Sequence, residues 1–387
     1  MSLPPLRGGI THGSAIRLFA GGIALFRISI LLLSAAILSF AAACGSDDNK
    51  NASTVASGSA ATAGPTSQPK PVTLRLGYFP NLTHAQPIVG IARGTFKDDL
   101  GPNVTLDTSK TFNAGPAAVE ALFAGSIDAT YIGPNPTVNA YVKSHGEDVR
   151  VIAGAVSGGA QLIVREAAGI TKAADFANRK VASPQLGGTQ DVALRTWLKS
   201  NGLNAKEQGG NVTVLATANA DTLTLFQKGD IDAAWVPEPW GTRLIQEAGG
   251  KLFVDEASLW PGGQWVTTNL IVKTSFLKDH PGVVENLLKA HVETTEWIKA
   301  NPEEAKALVN KGIEQLTGKA LSQKVIDAAW KNITVTNDPL ASTLAKSAND
   351  AYALEFLDSK PDLSKLYALD LLNKVLKAKN LPEVKAN

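Results

Sequence analysis

Apolar positions from residue 72 onward follow two different periods in turn. Short runs of alternating apolar side chains, typical of strands, are followed by stretches of about a dozen residues with helical spacing. The first such unit has a strand over 72–79 (VTLRLGYF) and a helix over 84–96. Strands that alternate with helices in this way predict βαβ units and a mainly parallel sheet.

The pattern forms two successive arrays, followed by a strand over 266–272 and long helices from Pro281 almost to the end. Pro281 and Pro302 are each placed where the first turn of a helix accepts proline. The first array predicts strands over 72–79, 104–106, 127–132, 149–155 and 161–164 and helices over 84–96, 115–124 and 135–145. The second predicts strands over 180–184, 212–216 and 231–236 and helices over 189–201, 221–228 and 242–248.

A five-residue echo links the two arrays. The segment 125–129 (GSIDA) returns as 229–233 (GDIDA), each time after an amphipathic helix and before an apolar strand. One interpretation is a common helix–glycine–strand turn, and the other is a pair of similar lobes. Inside two successive βαβ arrays, we favour the lobes.

The predicted fold class is therefore α/β, with two doubly wound lobes joined by two crossovers. Lobe one comprises residues 72–164 and 265–387, and lobe two comprises residues 165–264. The apolar passages 153–164 and 265–272 contain small or hydroxyl residues and are expected to be hinge strands.

Residues 1–43 have the pattern of a secretory signal. They contain Arg7, Arg17 and Arg27, no acidic residue, and an apolar stretch over 28–43 that ends in three alanines. A basic region, an apolar region and small residues before a cleavage site define such a signal. The stretch is shorter than the roughly 20 residues that span a bilayer.

Cys44 is the one cysteine of the chain. A lone cysteine is often a buried small apolar residue, but its place behind Ala41-Ala42-Ala43 is similar to a bacterial lipobox, in which the cysteine is lipidated. Ala41 replaces the more common leucine, so cleavage without lipidation is the alternative. Residues 44–71, rich in Ser, Ala, Thr and Gly, are expected to be a flexible tether.

Composition excludes several classes of function. Without residues 1–43 the chain carries 34 basic and 35 acidic residues, so no basic face for nucleic acid is expected. The five histidines, at 12, 84, 145, 280 and 291, lack metal-ligand spacing. No Gly-x-Ser-x-Gly, P-loop or Gly-x-Gly-x-x-Gly motif appears in the context that its chemistry requires. We expect no metal, no cofactor and no enzymatic activity.

Candidate binding residues lie in the loops that follow the predicted strands. Ligands of open α/β sheets bind beyond the carboxyl ends of strands, at helix N-termini. These loops are rich in Asn, Thr, Gln and Gly, which donate hydrogen bonds to an oxyanion without a full charge. They are 80–84, 112–115 and 133–136 in lobe one and 185–191, 217–221 and 237–240 in lobe two.

Ordinary helix capping is the alternative for several of these residues, because Asn135, Thr189, Asn219 and Asp221 are all good N-caps. Gly188, Thr189 and Gln190 are expected to have a mixed role. Glu238 pairs either within its loop or with an amino group of the ligand, and Trp240 either packs or lines an apolar pocket.

Taken together, the signal and lipobox and four longer segments resemble the sulfonate/taurine/nitrate branch of ABC-transporter solute-binding proteins. The segments are LRLGYFPNLTHAQPIVGIARGTF, AGPAAVEALFAGSIDATYIGPNP, ASPQLGGTQDVALRTWLKSNGL and GDIDAAWVPEPW. The resemblance implies a type II periplasmic-binding fold and a permease partner with a cytoplasmic ATPase. It assigns ligand binding to Asn81, His84, Asn113, Gly115, Asn135, Gly188, Thr189, Gln190, Glu238 and Trp240.

The implied ligand is a small aliphatic sulfonate, and the implied protein is an exported, lipid-anchored monomer. The same scaffold also binds nitrate, bicarbonate or the pyrimidine precursor of thiamine. The pyrimidine binders use more aromatic rings than this chain offers, with 6% aromatic residues. A periplasmic enzyme on this fold and a sensor domain are alternatives from other classes; the first uses His- and Cys-rich sites and the second a transmembrane output segment.

Overall fold

A computed structural model describes residues 71–386. The predicted signal peptide, Cys44 and all but the last residue of the predicted tether lie outside the described residues. No helix within 71–386 is long and apolar enough to cross a membrane.

The strands of this region form two sheets. In chain order the strands are β1 (Val72–Gly77), β2 (Val104–Asp107), β3 (Ala129–Ile132), β4 (Val149–Gly158), β5 (Ala160–Arg165), β6 (Lys180–Ser183), β7 (Thr213–Ala216), β8 (Ala233–Pro237), β9 (Gly250–Asp255), β10 (Val266–Lys273) and β11 (Ile333–Val335).

Helices connect the strands and cover the sheets. In chain order they are α1 (Ala85–Arg93), α2 (Thr95–Leu100), α3 (Gly115–Phe123), α4 (Pro134–Lys143), α5 (Thr189–Ser200), α6 (Asn219–Lys228), α7 (Trp240–Ala248), α8 (Thr274–Asp279), α9 (Pro281–Ala300), α10 (Pro302–Thr317), α11 (Gln323–Trp330), α12 (Ala341–Ala353) and α13 (Asp370–Ala378). Pro281 and Pro302 occupy first-turn positions, as the sequence predicts.

The first sheet has the order β11-β4-β10-β3-β1-β2, and the second has the order β7-β6-β8-β5-β9. In the first sheet, β1 is parallel to β2 and β3, while β10 runs antiparallel between β3 and β4. In the second, β6 is parallel to β7 and β8, while β5 runs antiparallel between β8 and β9. The parallel strands of each sheet therefore end at one edge, and the helices that follow them begin there.

The chain passes between the sheets twice, after β4 and before β10. The first passage lies at Gly158-Gly159, because β5 pairs with strands of the second sheet. The division into two lobes stays a proposal, and this pairing moves its first boundary from residue 164 to Gly159.

Apolar side chains bury each sheet against its helices. The largest cluster packs Leu74, Leu76 and Leu270 of the first sheet against Leu287 and Leu288 of α9. In the second sheet, the rings of Phe176, Trp197 and Phe253 meet edge to face at 5.1 to 5.8 Å between ring centres. Aromatic pairs prefer this geometry, so the second sheet has a rigid support behind its loops.

The structure differs from the predicted elements in three places. One is strand β11 (Ile333–Val335), which lies in the region predicted to contain long helices and pairs with β4. The helix predicted over 84–96 is divided by Gly94, whose φ of 79° is left-handed and ends α1 before α2 begins. Strand β9 was not predicted. It lies at the edge of its sheet, where one of its apolar residues, Leu252, is 49% exposed. Its residues therefore lack the alternation of buried and exposed positions by which a strand is predicted.

Candidate functional site

A cavity lies where the carboxyl ends of the parallel strands of both sheets come together. We call it the inter-sheet cavity. Its volume is about 30 Å³. Its walls are Phe79, Asn81, Thr83, His84, Asn113, Ala114, Gly115, Gly133, Pro184, Gly188, Thr189, Gln190, Pro237, Thr267 and Thr268.

Three helices begin at this cavity without a side-chain cap. The residues before α3, α4 and α5 are Ala114, Gly133 and Gly188, and none of them can accept a hydrogen bond through its side chain. The first N–H groups of α5 therefore stay available, and so do those of α3 and α4 apart from Pro116, Pro134 and Pro136, which have no N–H. Each helix end carries roughly half a positive charge. Together the three ends form a preformed environment for a negative group.

The capping alternative is wrong for the four residues to which it applied. The residues in the N-cap positions of α4, α5 and α6 are Gly133, Gly188 and Ala218. Asn135, Thr189, Asn219 and Asp221 all lie inside the first turns instead. Their side chains are thus not required to close the helix ends.

Glycine lets the walls approach one another closely. A Cβ atom at Gly133 would lie 2.1 Å from Thr189 Oγ1, across the cavity on the other sheet's first helix. A Cβ atom at Gly115 would lie 2.2 Å from Cγ of Pro136. Any larger residue would push the helix starts apart, so these two glycines set the small size of the cavity.

No charged side chain is part of the wall as described for residues 71–386. Asp191, in the first turn of α5 and next to the wall residue Gln190, is bound elsewhere. Its carboxylate accepts hydrogen bonds from Ser183 Oγ at 2.8 Å and Gly187 N at 3.0 Å and pairs with Arg195 Nε at 2.9 Å. Asp191 thereby fixes the Gly187-Gly188 turn, while its charge is balanced by Arg195.

Thr189 and Gln190 present free polar groups to the cavity. Both are at least nine-tenths buried. Neither side chain has a hydrogen-bond partner within residues 71–386, and the same holds for Thr268, whose Oγ1 is fully buried. Buried polar groups without partners are costly, so these three positions are suited to contact a ligand.

His84 is a neutral hydrogen-bond donor. Its ring stacks on Phe79 with 4.3 Å between ring centres, and its Nδ1 accepts the Phe79 N–H at 3.3 Å. Burial lowers the pKa of His84 from 6.5 to about 3. In the neutral ring with Nδ1 as acceptor, Nε2 carries the proton and is the donor.

Two asparagines connect the walls across the cavity. Asn113 Nδ2 donates to Pro184 O at 3.2 Å, and Asn113 Oδ1 accepts the Asn219 N–H at 3.1 Å. Asn81 Oδ1 accepts the indole N–H of Trp240 at 3.0 Å. Both side-chain amides form hydrogen bonds between a loop of one sheet and a loop of the other. We call these closing contacts, because they hold the two sides of the cavity together.

Three of the ten residues expected at the ligand do not line the inter-sheet cavity. Asn135 donates to Ser347 O at 3.0 Å. Glu238 accepts from Thr242 N, Thr242 Oγ1 and Asn332 Nδ2, at 3.1, 2.9 and 2.6 Å, so of its two interpretations the structure shows pairing within the protein. Trp240 faces a second cavity.

The other seven expected residues do line it: Asn81, His84, Asn113, Gly115, Gly188, Thr189 and Gln190. The sequence did not identify Phe79, Pro184 or the pair Thr267-Thr268 as wall residues; Thr83 and Pro237 lie in the candidate loops but were not among the ten residues. The pair was interpreted as part of a hinge strand. Because β10 runs antiparallel, its first residues lie at the edge where the parallel strands end, and a sequence pattern does not reveal strand direction.

Several comparisons match this chain. The model of the NMT1-like family matches residues 67–311. A putative aliphatic sulfonates-binding protein of Bacillus subtilis (strain 168) is 22% identical over 309 residues, which are 78% of this chain and 88% of that protein.

Two solved structures have the same fold. The alkanesulfonate-binding protein SsuA from Xanthomonas axonopodis pv. citri, bound to MOPS, superposes with a TM-score of 0.65 at 18% identity and covers 78% of this chain and 100% of that one. The periplasmic nitrate-binding protein NrtA from Synechocystis PCC 6803 gives 0.64 at 17%, with 80% and 89% covered. The periplasmic-binding fold predicted from the sequence is confirmed.

Proposed function

We infer that this chain, which belongs to the NMT1-like family, is the substrate-binding component of an ABC importer and captures a small aliphatic sulfonate between its two sheets. The observation that carries this proposal is the meeting of three uncapped helix starts in a cavity without a charged side chain. Such a site suits an anion that is ionised at every physiological pH. The related binding protein from Bacillus subtilis is named for aliphatic sulfonates.

The chemistry of binding follows from the donors in the wall. The sulfonate oxygens would accept the N–H groups at the starts of α3 and α5, the side chains of Thr189 and Gln190 and the His84 Nε2–H. Preformed dipoles in a dry cavity hold charge strongly because little water screens them. Neutral donors also release the ligand more readily than a buried arginine would, which suits a protein that must deliver its cargo.

The small volume of the cavity supports nitrate as a second candidate. The volume of the inter-sheet cavity is about 30 Å³, two to three times the roughly 10–15 Å³ that one water molecule needs. Nitrate, a planar anion of four atoms, fits this space, and the structural relative NrtA is named for nitrate. A sulfonate differs from nitrate by the carbon chain that it must place outside the cavity.

A ligand panel tests the proposal. Thermal unfolding should be followed with taurine, ethanesulfonate, nitrate, sulfate and hydroxymethylpyrimidine. A ligand at 100 times its Kd stabilises the folded state by about 2.7 kcal/mol, which is a measurable shift in Tm. Shifts with the sulfonates alone support the proposal; a shift with nitrate or the pyrimidine and none with any sulfonate would replace it.

We further propose that the protein is exported, monomeric and anchored to the outer face of the membrane through lipid on Cys44, where it meets its permease. The lipobox-like end of the apolar stretch at Ala41-Ala42-Ala43 supports this. Two acyl signals give stable anchoring. The intact mass of the mature protein decides between lipidated Cys44 and a chain that begins after it.

Affinity for a sulfonate is expected to stay constant between pH 5 and pH 8. The ligand does not titrate in this range, and His84, with its pKa of about 3, remains neutral throughout. Calorimetric titration with ethanesulfonate at several pH values measures this. If binding instead required His84 to be protonated, the affinity would fall about tenfold for each pH unit above the pKa of His84 in the free protein.

A further inference from the structure

A separate cavity lies between the segment that joins β9 to β10 and the helices α5 and α12. We call it the tryptophan cavity, because the indoles of Trp197 and Trp260 form part of its wall. Helix α5 also contributes Thr196, and α12 contributes Lys346 and Asp350. Its volume is about 210 Å³, and among residues 71–386 it shares no wall residue with the inter-sheet cavity. The two spaces can therefore bind different molecules.

A buried carboxyl group belongs to the wall of the tryptophan cavity. Glu256 is only 2% exposed. Its Oε2 accepts the Trp235 indole N–H at 2.8 Å, whereas within residues 71–386 its Oε1 accepts only a long hydrogen bond, from Trp260 Nε1 at 3.4 Å. No cation of these residues forms a salt bridge with it. Because a buried carboxylate without a cation is costly, Glu256 is suited to accept a hydrogen bond from a positive group.

A hydroxyl group without a partner belongs to the same wall. Thr196 Oγ1 is buried and has no hydrogen-bond partner within residues 71–386. Buried polar groups in proteins normally have partners. Thr196 and Glu256 come from different segments of the chain and line one space, so together they indicate a ligand that donates hydrogen bonds.

The charged groups of the wall favour a cation over an anion. Among residues 71–386 the one cation in the wall is Lys346, whose Nζ pairs with Asp350 Oδ2 at 2.6 Å and lies 4.6 Å above the Trp260 ring. With Glu256 ionised, the wall carries two carboxylates and one ammonium group. Asp255, next to Glu256 in the chain, adds a further negative charge nearby. Indole rings also attract cations, so the wall is complementary to one additional positive charge.

We propose that the tryptophan cavity binds a short primary alkylammonium ion. The ammonium group donates to Glu256 Oε1 and Thr196 Oγ1, and the alkyl chain lies against Leu259 and the two indoles of the wall. An anion would be repelled by the carboxylates, and an apolar molecule would leave both polar groups without partners. The assignment does not depend on the proposed sulfonate site, which has different wall residues and takes the opposite charge.

Binding of the ammonium ion is expected to strengthen as the pH rises. The cation requires ionised Glu256, whose pKa of about 7 makes about a tenth of the free protein ionised there at pH 6 and about nine tenths at pH 8. An alkylammonium ion, like lysine, keeps its charge in this range. The Kd should therefore fall about tenfold from pH 6 to pH 8, with nearly one proton released per ion bound at pH 6.

The probe is propylammonium chloride, measured by calorimetric titration at both pH values against a sodium chloride blank. Two buffers with different ionisation enthalpies measure the proton release at pH 6. Tetramethylammonium carries the same charge without an N–H group, so it should bind about tenfold or more weakly than propylammonium. No binding of propylammonium at pH 8, or equal binding of tetramethylammonium, overturns the assignment.

Two substitutions test the two acceptors. Glu256→Gln should weaken propylammonium binding at pH 8 about tenfold or more and remove its pH dependence. Thr196→Val keeps the shape of the side chain and breaks no hydrogen bond within residues 71–386, and it should weaken binding about 2- to 12-fold. The control Glu314→Gln, exposed on α10 and outside this wall, should keep the Kd. Circular dichroism verifies that each variant is folded, and full affinity in either test variant contradicts the proposal.

Discussion

Replacing Gln190 with alanine is expected to weaken sulfonate binding about 10- to 150-fold while leaving the fold intact. A hydrogen bond to a charged group contributes roughly 1.5–3 kcal/mol, and this range converts to that ratio of Kd values. The Gln190 side chain has no hydrogen-bond partner within residues 71–386, so its truncation breaks no hydrogen bond in that region. Its position in the first turn of α5 adds its amide to the field of the helix start.

Calorimetric titration with ethanesulfonate measures the change, and Gln315→Ala is the control. Gln315 is exposed on α10 and is not part of the wall of the inter-sheet cavity, so its truncation should leave the Kd unaltered. Thermal unfolding without ligand should be the same for both variants and the unchanged protein. A Gln190→Ala variant with full affinity would show that the amide does not contact the ligand.

Some polar residues of this site bind the opposite wall, and others are free to bind a ligand. The sequence alone does not separate these two groups. Asn113 was expected to bind the ligand, but its amide already bridges Pro184 and Asn219 of the opposite sheet. Asn81 likewise holds Trp240. An asparagine in a loop after a strand fits either role, because only the position of the opposite loop decides which partner is within reach.

The predictable part of the fold is the part that local pattern controls. Strand β3 is buried and is followed by α4, which begins at Pro134, and strand β6 is largely buried and is followed by α5, which begins directly after Gly188. This alternation of strands and helices indicates parallel sheets. Two glycines, Gly133 and Gly188, mark helix starts at the cavity. These local signals were sufficient to place seven of the ten expected residues in the wall.

The remaining features depend on contacts between distant segments. Glu238 is fully buried, and Asn332, far away in the chain, donates to its carboxylate. Burial raises the pKa of Glu238 above its usual value. Thr268 reaches the cavity because β10 enters the first sheet in the antiparallel direction. No pattern within either segment carries this information.

Glu256 is expected to make the protein less stable as the pH rises from 4.5 to 7. Its carboxyl group is buried, and burial raises its pKa from 4.5 to about 7 although Trp235 Nε1 and Trp260 Nε1 donate to it at 2.8 and 3.4 Å. Within residues 71–386 no cation forms a salt bridge with it; Lys346 and Asp255 act only from farther away, in opposite directions.

The sign follows from which state holds the proton. Below pH 4.5 the folded and unfolded chains are both protonated at this position. Between pH 4.5 and 7 the unfolded chain loses the proton while the folded chain keeps it, so the free energy of unfolding decreases with rising pH. The difference between the two pKa values corresponds to about 3 kcal/mol, lost by pH 8.

Glu256→Gln removes this titration and keeps the shape of the side chain. The variant, measured against the unchanged protein by urea unfolding, should gain about 3 kcal/mol in relative stability between pH 4.5 and pH 8. Any constant cost of the substitution cancels in that comparison. The exposed Glu314→Gln is the control and should follow the unchanged protein at each pH. Parallel curves for Glu256→Gln and the unchanged protein would mean that Glu256 is already ionised in the folded state, held by the two indole donors.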